Sequence, residues 1–280
     1  MALGHLGQGG IVTVPMTSPS GLHVIERPVA DSAHTVVLVH GSLDRAESFA
    51  RVMRRLSDVT TVAYDRRGYQ QSRGVGVAAS ISTHVDDLLG VIREITLRTS
   101  TTVSAVGHSL GGDVVIAAAL AHPDALASIG AFEPPMPWLG FRRHDPGSPR
   151  PRGWPAMAED PGLEAEQFFG RMVSPRAWSR LSDAGRATRR ADGPALVADM
   201  TFMRGEQPFD VTALAVPAVF GMGGQASGTH HRRTVTWLGE HVAGAEVYEI
   251  EGAQHGAHLS HPDHFATFVR RVLERGAPVA

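Results

Sequence analysis

The chain contains no cysteine among its 280 residues. This absence excludes disulfides, thiolate metal sites and cysteine nucleophiles together, and it leaves the redox compartment undetermined. An excess of either charge is also missing, because 26 Lys and Arg face 28 Asp and Glu for a net charge of −2. Such a balance offers no broad electrostatic surface to nucleic acid or to an anionic membrane. We therefore expect a small-molecule substrate and no nucleic-acid partner.

Long hydrophobic runs are absent as well. The most apolar stretch, Val114 to Ala121, is far shorter than the roughly 20 residues of a membrane-spanning helix. Met1 to Gly10 have no basic leader followed by an apolar stretch, so they do not resemble a secretory signal. We expect no membrane partner, a cytoplasmic location, and a monomer or homodimer. With 42% hydrophobic residues, the chain can form a well-packed core in one large domain or two small ones.

Eight short β-branched or hydrophobic stretches have the composition of strands, and from the third onward most are separated by stretches with helical spacing. Strands that alternate with helices imply parallel pairing with right-handed crossovers. The pattern predicts an α/β fold with a doubly wound, mostly parallel sheet of eight strands. The predicted strands are Ile11 to Val14, Leu22 to Glu26, Thr35 to Val39, Thr60 to Tyr64, Thr102 to Val106, Ala127 to Phe132, Val216 to Phe220 and Glu246 to Ile250. The predicted core helices are Ala46 to Leu56, Ser80 to Leu97, Leu110 to Ala121, His230 to Glu240 and Pro262 to Glu274.

The alternation stops after Phe132. Residues 134–155 are rich in proline and arginine and cannot continue a regular strand or helix. Helical periodicity returns from about Leu163 to Met203, with breaks at Pro175 and at Asp192-Gly193-Pro194. We predict a helical cap of residues 134–210, inserted after the sixth strand into a core domain of residues 1–133 and 211–280.

The most specific chemical signal is Gly107-His108-Ser109-Leu110-Gly111, a G-x-S-x-G motif between a predicted buried strand and a predicted helix. A nucleophilic serine needs this strained turn. The glycines let strand and helix pass closely, and the start of the helix directs amides at developing negative charge. A tight structural turn is the alternative explanation, but the flanking strand and helix favour Ser109 as the nucleophile.

In the order of its motifs, the chain resembles the cap-bearing α/β-hydrolase superfamily over nearly its whole length. The resemblance implies a serine hydrolase of the esterase type, in which the residue after the His-Gly pair and the residue after the nucleophile donate the oxyanion-hole amides. Those positions are Ser42 and Leu110, with Leu43 as an alternative first donor. The segments that carry the resemblance are His40-Gly41-Ser42, Tyr64 to Tyr69, Gly107 to Gly112, and Gly252 to His255 with Pro262 beyond.

The histidine that the resemblance selects as the general base is His255, seven residues before Pro262. It follows the last strand, as expected for the order Ser, acid, His of this fold. Its neighbours His258, His261 and His264 recur every three residues, so a metal site is the alternative. The stretch runs from a loop into a proline-initiated helix, and no carboxylate or thiol has fitting spacing. We therefore predict no metal and no cofactor, with the three neighbours at the surface or behind the site.

The acid departs from the commonest pattern of the superfamily. An Asp usually follows the strand that here ends at Phe220, but residues 221–227 contain no carboxylate. Some relatives take the acid from the end of the preceding core strand, where this chain has Glu133. A carboxylate there can hold the imidazole in one tautomer; a solvated or salt-bridged glutamate is the alternative. Asp199 and Asp210 are weaker candidates, and Asp65 and Asp113 are expected to be structural.

These assignments predict hydrolysis of a carboxylic ester or thioester of a small, largely apolar molecule through an acyl-enzyme on Ser109. The same triad can serve C–C bond hydrolysis, lyase chemistry or perhydrolysis, and the scaffold can also carry a non-catalytic ligand-binding protein. The predicted cap has aromatic residues for an apolar pocket or for its own packing, namely Trp138, Phe141, Trp154, Phe168, Phe169, Trp178 and Phe202. Its arginines could guide an anionic substrate or belong to a solvated loop; they are Arg142, Arg143, Arg150 and Arg152.

Overall fold

A single eight-stranded sheet organises the protein in the computed structural model, which describes residues 10–14, 21–141, 156–205, 207–225 and 229–277. The strand order is β1-β2-β4-β3-β5-β6-β7-β8. The β1–β2 and β2–β4 pairs are antiparallel and the other pairs are parallel. This confirms the predicted α/β architecture. The strands are β1 Val12–Val14, β2 Val24–Arg27, β3 His34–Val39, β4 Thr60–Tyr64, β5 Thr102–His108, β6 Ile129–Phe132, β7 Ala218–Gly223 and β8 Glu246–Ile250.

Helices cover both faces of the sheet, which explains why the central strands are continuously hydrophobic. Residues that alternate along β3 enter two separate cores: Val37 and Val39 pack into one, and Val36 and Leu38 into the other. All four of these side chains are fully buried. The ten helices and helical turns of α type in the described residues are α1 Ala50–Met53, α2 Ile81–Arg98, α3 Leu110–Ala121, α4 Pro161–Met172, α5 Pro175–Ser179, α6 Asp183–Ala191, α7 Gly193–Met203, α8 Thr229–His241, α9 Ala257–Ser260 and α10 Pro262–Arg275.

Two helical segments differ from the sequence prediction. The predicted helix from Ala46 to Leu56 is a 3-10 turn, Ala46–Phe49, followed by the four residues of α1. The turn α9 was not predicted, because four residues are too few to establish a helical period. The other predicted core helices lie within one residue of their observed bounds.

Helices α4 to α7 lie between β6 and β7, and we call them the inserted helices. Their breaks fall at Pro175 and at residues 192–193, where the sequence predicts them. They have a small apolar core of Ala165, Leu196 and Met200, against which Leu43 of the main domain packs. The predicted domain boundaries themselves remain a prediction. Trp154 and the four arginines at 142, 143, 150 and 152 lie outside the described residues.

Candidate active site

Ser109 lies on the sharp turn between β5 and α3. Its backbone has φ 53° and ψ −127°, a strained conformation for a residue with a side chain. Two glycines permit the turn. A Cβ on Gly107 would lie 2.1 Å from the carbonyl oxygen of Gly111, and a Cβ on Gly111 would lie 2.1 Å from that of Val39. The motif therefore forms the predicted elbow, with the serine half-buried at its tip.

The parallel strands place the other predicted residues at the same edge of the sheet. In an open α/β sheet this edge, at the carboxyl ends of the strands, is where ligands bind. Ser42 follows β3, Ser109 follows β5, Glu133 follows β6 and His255 follows β8. Residues that are up to 213 positions apart in the sequence are thus assembled by topology alone.

Glu133 and His255 form a buried pair. The His255 Nδ1–H donates to Glu133 Oε2 at 2.6 Å. The second carboxylate oxygen, Oε1, accepts the amide of Gly223 at 2.9 Å. Glu133 is fully buried, and His255 is 9% exposed. Because Nδ1 carries the proton in this bond, Nε2 of the neutral ring is left as an acceptor.

His108 links the elbow to the loop that carries His255. Its Nε2–H donates to the main-chain oxygen of His255 at 2.8 Å, and the two ring centroids are 4.6 Å apart. Burial lowers the pKa of His108 well below its ordinary value, so the ring is neutral near pH 7. No hydrogen bond among the described residues joins the Ser109 hydroxyl to His255.

The His255 ring belongs to a row of imidazoles that the sequence analysis missed. His231 of α8 stacks on it with ring centroids 4.7 Å apart. The ring of His108, which also lies next to His255, has its centroid 4.4 Å from that of His258. His258 is 1% exposed and hydrogen-bonded to Asp44, so it lies behind the site, while His264 is exposed. Only the GxSxG motif could have drawn attention to His108, as its variable second residue.

The predicted oxyanion loop, His40 to Ser42, passes directly beside Ser109. A Cβ on Gly41 would lie 2.9 Å from Ser109 Cβ, so only glycine permits this approach. Burial, reinforced by the Arg66 charge, lowers the pKa of His40 to about 3. Leu110, the residue after the nucleophile, begins α3, so its amide has no acceptor within the helix.

The weaker candidates for the acid are bonded elsewhere. Asp199 binds Arg66 with both oxygens, at 3.2 and 2.8 Å. Asp210 is exposed and accepts the Thr212 amide.

The two carboxylates that were expected to be structural, Asp65 and Asp113, are both buried. Asp65 accepts the amides of Ala46 and Gln71 at 2.8 and 3.1 Å, although burial raises its pKa to about 6. Asp113 is fully buried in the first turn of α3, and burial raises its pKa well above the ordinary value.

Two groups of side chains in the described residues bring potential metal ligands within 4.8 Å of one another. One is Asp44, His108 and His258; the other is Glu133, His231 and His255. Neither group contains the three histidines His258, His261 and His264 together, whose regular spacing was the reason to consider a metal site in the sequence. In each group the carboxylate already accepts a hydrogen bond from a histidine, at 3.1 Å in the first and 2.6 Å in the second.

Most of the aromatic residues considered for the pocket pack on other side chains. Trp138 contacts Phe209, Phe169 contacts Trp178, and Phe202 contacts His84. Among those in the described residues, Phe168 packs against the same small core as Leu43, the residue after the oxyanion loop. A surface groove of about 1150 Å³ lies elsewhere, at the opposite end of β5 between α2 and the end of α3, and none of the predicted site residues lines it.

Comparison with known proteins agrees with this architecture. A family model described as serine aminopeptidase, S33 matches residues 30–140. A 2-(acetamidomethylene)succinate hydrolase of Mesorhizobium japonicum is 34% identical over 103 residues, a match that spans 36% of this chain and only 36% of the relative. A serine hydrolase of carbazole degradation superimposes with TM-score 0.67 at 16% identity, covering 95% of this chain and 99% of the other. A bromoperoxidase from Bacillus anthracis gives 0.69 at 16% identity, covering 95% and 100%. The sheet topology and these similarities show that the chain has the α/β-hydrolase fold.

Proposed function

We propose that this chain is a serine hydrolase that cleaves a carboxylic ester or thioester through an acyl-enzyme on Ser109. The observation that carries the proposal is the buried bond from His255 Nδ1–H to Glu133 Oε2 at 2.6 Å. This bond fixes the tautomer in which Nε2 can accept a proton, and a buried carboxylate stabilises the imidazolium that results.

The reaction follows from these roles. Ser109 Oγ attacks the substrate carbonyl carbon while His255 Nε2 takes the hydroxyl proton. The amides of Ser42 and Leu110 donate to the oxyanion, and each preorganised donor is worth on the order of 3 kcal/mol. His255 then gives its proton to the leaving alcohol or thiol. Water, deprotonated by the same ring, hydrolyses the acyl-enzyme and restores Ser109.

An apolar acyl group suits the surroundings of the oxyanion loop. Leu43, the residue after that loop, packs against the small apolar core of Ala165, Leu196 and Met200 in the inserted helices, and Phe168 packs against the same core. Burial of apolar area from the substrate would contribute roughly 25 cal/mol per Å². We therefore propose that the inserted helices act as a cap that binds the apolar part of a small ester.

The test is hydrolysis of p-nitrophenyl esters from acetate to long acyl chains by the wild type and by Ser109→Ala. A matched control is Ser104→Ala in β5, the strand that precedes Ser109. This change removes a serine hydroxyl that is hydrogen-bonded to Ser128. We expect the Ser109 variant to lose turnover and labelling by a fluorophosphonate, and the control to keep both. The acyl length of highest kcat/KM would report the size of the apolar site.

The same panel separates the other chemistries open to this scaffold. It includes 2-(acetamidomethylene)succinate, because a curated relative is a hydrolase named for that compound. It also includes a C–C bond substrate such as a vinylogous 1,5-diketone, and acetate with peroxide for perhydrolysis. A folded wild type that neither turns over any ester nor reacts with the fluorophosphonate would overturn the proposal.

A further inference from the structure

One carboxylate of the inserted helices reaches into the core of the main domain. Asp199, on α7, is 1% exposed. Its Oδ2 accepts hydrogen bonds from Tyr69 Oη at 2.6 Å, from Arg66 Nη2 at 2.8 Å and from Ser42 Oγ at 2.8 Å. Its Oδ1 lies 3.2 Å from Arg66 Nη1 and 3.1 Å from His84 Nε2. All four partners belong to the main domain, so this residue joins α7 to it.

The Arg66–Asp199 pair holds the proposed oxyanion loop at both ends. Arg66 Nε donates to the main-chain oxygen of His40 at 3.0 Å, and the Arg66 amide donates to His40 Nε2 at 2.9 Å. Asp199 holds the other end through the Ser42 hydroxyl. Between these anchors, Gly41 lies against Ser109 Cβ. The loop is therefore fixed between the nucleophile elbow and a buried ion pair.

The charges of this pair persist over the range in which a serine hydrolase works. Although burial opposes ionisation, the Arg66 charge and the bonds from His84 and Arg66 hold the pKa of Asp199 well below its ordinary value. Arg66 is fully buried and is always protonated. The Ser42 hydroxyl is uncharged, and Asp199 keeps its bonds to Arg66 and Tyr69 without it, so it can be removed without leaving a buried charge unpaired.

We propose that Asp199 is a positioning residue, which aligns the oxyanion-hole amide of Ser42 by holding the Ser42 hydroxyl from the inserted helix α7. The inference rests on the proposed hydrolase function. An oxyanion donor must lie about 2.7 to 3.1 Å from the position of the developing charge. The docked helix α7 thus becomes part of the machinery that stabilises the transition state, in addition to covering the substrate.

A merely structural role and a positioning role give different kinetics. If the Ser42–Asp199 bond only stabilises the fold, its loss lowers Tm and leaves kcat of the folded enzyme unchanged. If the bond aligns the amide, its loss lowers kcat and leaves KM nearly unchanged, because the ground-state carbonyl depends less on that donor. Binding of a trifluoromethyl ketone, whose adduct with serine carries an oxyanion, would weaken by the same factor as kcat.

The experiment compares Ser42→Ala with Ser42→Thr, which retains a hydroxyl, and with Thr201→Ala. This control removes the Thr201 hydroxyl of α7, which donates to the main-chain oxygen of Val197 at 2.7 Å. On the best p-nitrophenyl ester we expect Ser42→Ala to lose kcat by about 10- to 100-fold. The Thr variant should recover most of it, and the control should match the wild type.

A second variant, Asp199→Asn, tests the cap side of the bond. Adding Ser42→Ala to it should cause little further loss of kcat, since both changes break one interaction. If Asp199→Asn does not fold, the two Ser42 variants decide. Wild-type kcat in Ser42→Ala, in an enzyme that is active and depends on Ser109, would overturn the inference alone. A wild type without turnover or fluorophosphonate labelling would instead overturn the proposed function.

Discussion

At the scale of single residues, the carboxylate of Glu133 is held by two parts of the chain. One oxygen accepts the His255 imidazole proton, and the other accepts the amide of Gly223 at the end of β7. Its backbone lies in the left-handed region, with φ 46°. The group thus reaches from the end of β6 to the end of β7, where relatives usually have the aspartate that this chain lacks.

Replacing Glu133 by Gln should lower kcat by about 10³- to 10⁴-fold, because an amide that donates to Nδ1 favours the wrong imidazole tautomer. KM should change little, since Glu133 is fully buried and acts through the Nδ1 side of His255. Steady-state hydrolysis of p-nitrophenyl esters measures the effect, and circular dichroism verifies that the variant is folded. A suitable control is Glu249→Gln, which affects only a surface ion pair with Arg232. A loss in the Glu133 variant no larger than in this control would contradict the assignment.

Residues with a sequence motif or a strand-end position could be predicted, and residues defined only by tertiary contacts could not. Ser109, Glu133 and His255 follow strands whose hydrophobic patterns are clear, and parallel strands bring their carboxyl ends together. Asp199 was considered only as a substitute acid. Its bonds to Ser42 and Arg66 join positions 157 and 133 residues away, and no local pattern records such a contact.

At the scale of secondary-structure elements, close approaches of backbone fix the elbow. Helix α3 passes so close to the end of β3 that a Cβ on Gly111 would lie 2.1 Å from Val39 O and 2.7 Å from His40 O. Both obstacles are backbone atoms of β3 and the oxyanion loop, and neither can rotate away. The eight strands were predictable because each has a short β-branched or hydrophobic composition, whereas α1 and α9 are too short for periodicity to define their bounds.

Gly111→Ala should therefore displace α3 from the sheet and lower stability by roughly 3 kcal/mol or more, the size of an overpacked core change. Urea unfolding at pH 7 would measure the loss. The matched control is Gly170→Ala in the last turn of α4, where the nearest atom to an added Cβ is 3.9 Å away. That change should stabilise the helix by about 0.5–1 kcal/mol. Equal urea midpoints for the two variants would show that α3 and β3 can move apart at the elbow without loss of stability.

At the scale of the whole molecule, buried titratable groups dominate the response to pH. Burial lowers the pKa values of His40, His84 and His108 from 6.5. Below that pH the unfolded chain takes up protons that the folded chain refuses, so stability falls on acidification. Burial raises the pKa of Asp65 to about 6 and that of Asp113 well above its ordinary 3.8. These groups act in the opposite direction, because their folded forms retain a proton that the unfolded forms have lost.

The balance predicts that stability falls at low pH and again at high pH. At low pH the three histidines act together with Asp44 and Asp199, whose pKa values are lowered in the folded protein. These five groups outweigh the carboxyl groups of raised pKa, Asp65, Asp113 and Asp192. At higher pH the histidines are neutral in both states. The raised pKa of buried Asp113 then makes stability fall as pH rises, by up to about 1.4 kcal/mol per pH unit, until the folded protein releases that proton. Asp113→Asn removes this proton while preserving shape, so its urea midpoint should change less between pH 7 and pH 9 than that of the wild type. The exposed Asp263→Asn, at a carboxylate whose pKa is lowered by Arg55, should keep the wild-type slope. A wild-type midpoint that does not change from pH 7 to 9 would mean that Asp113 is ionised in the folded protein.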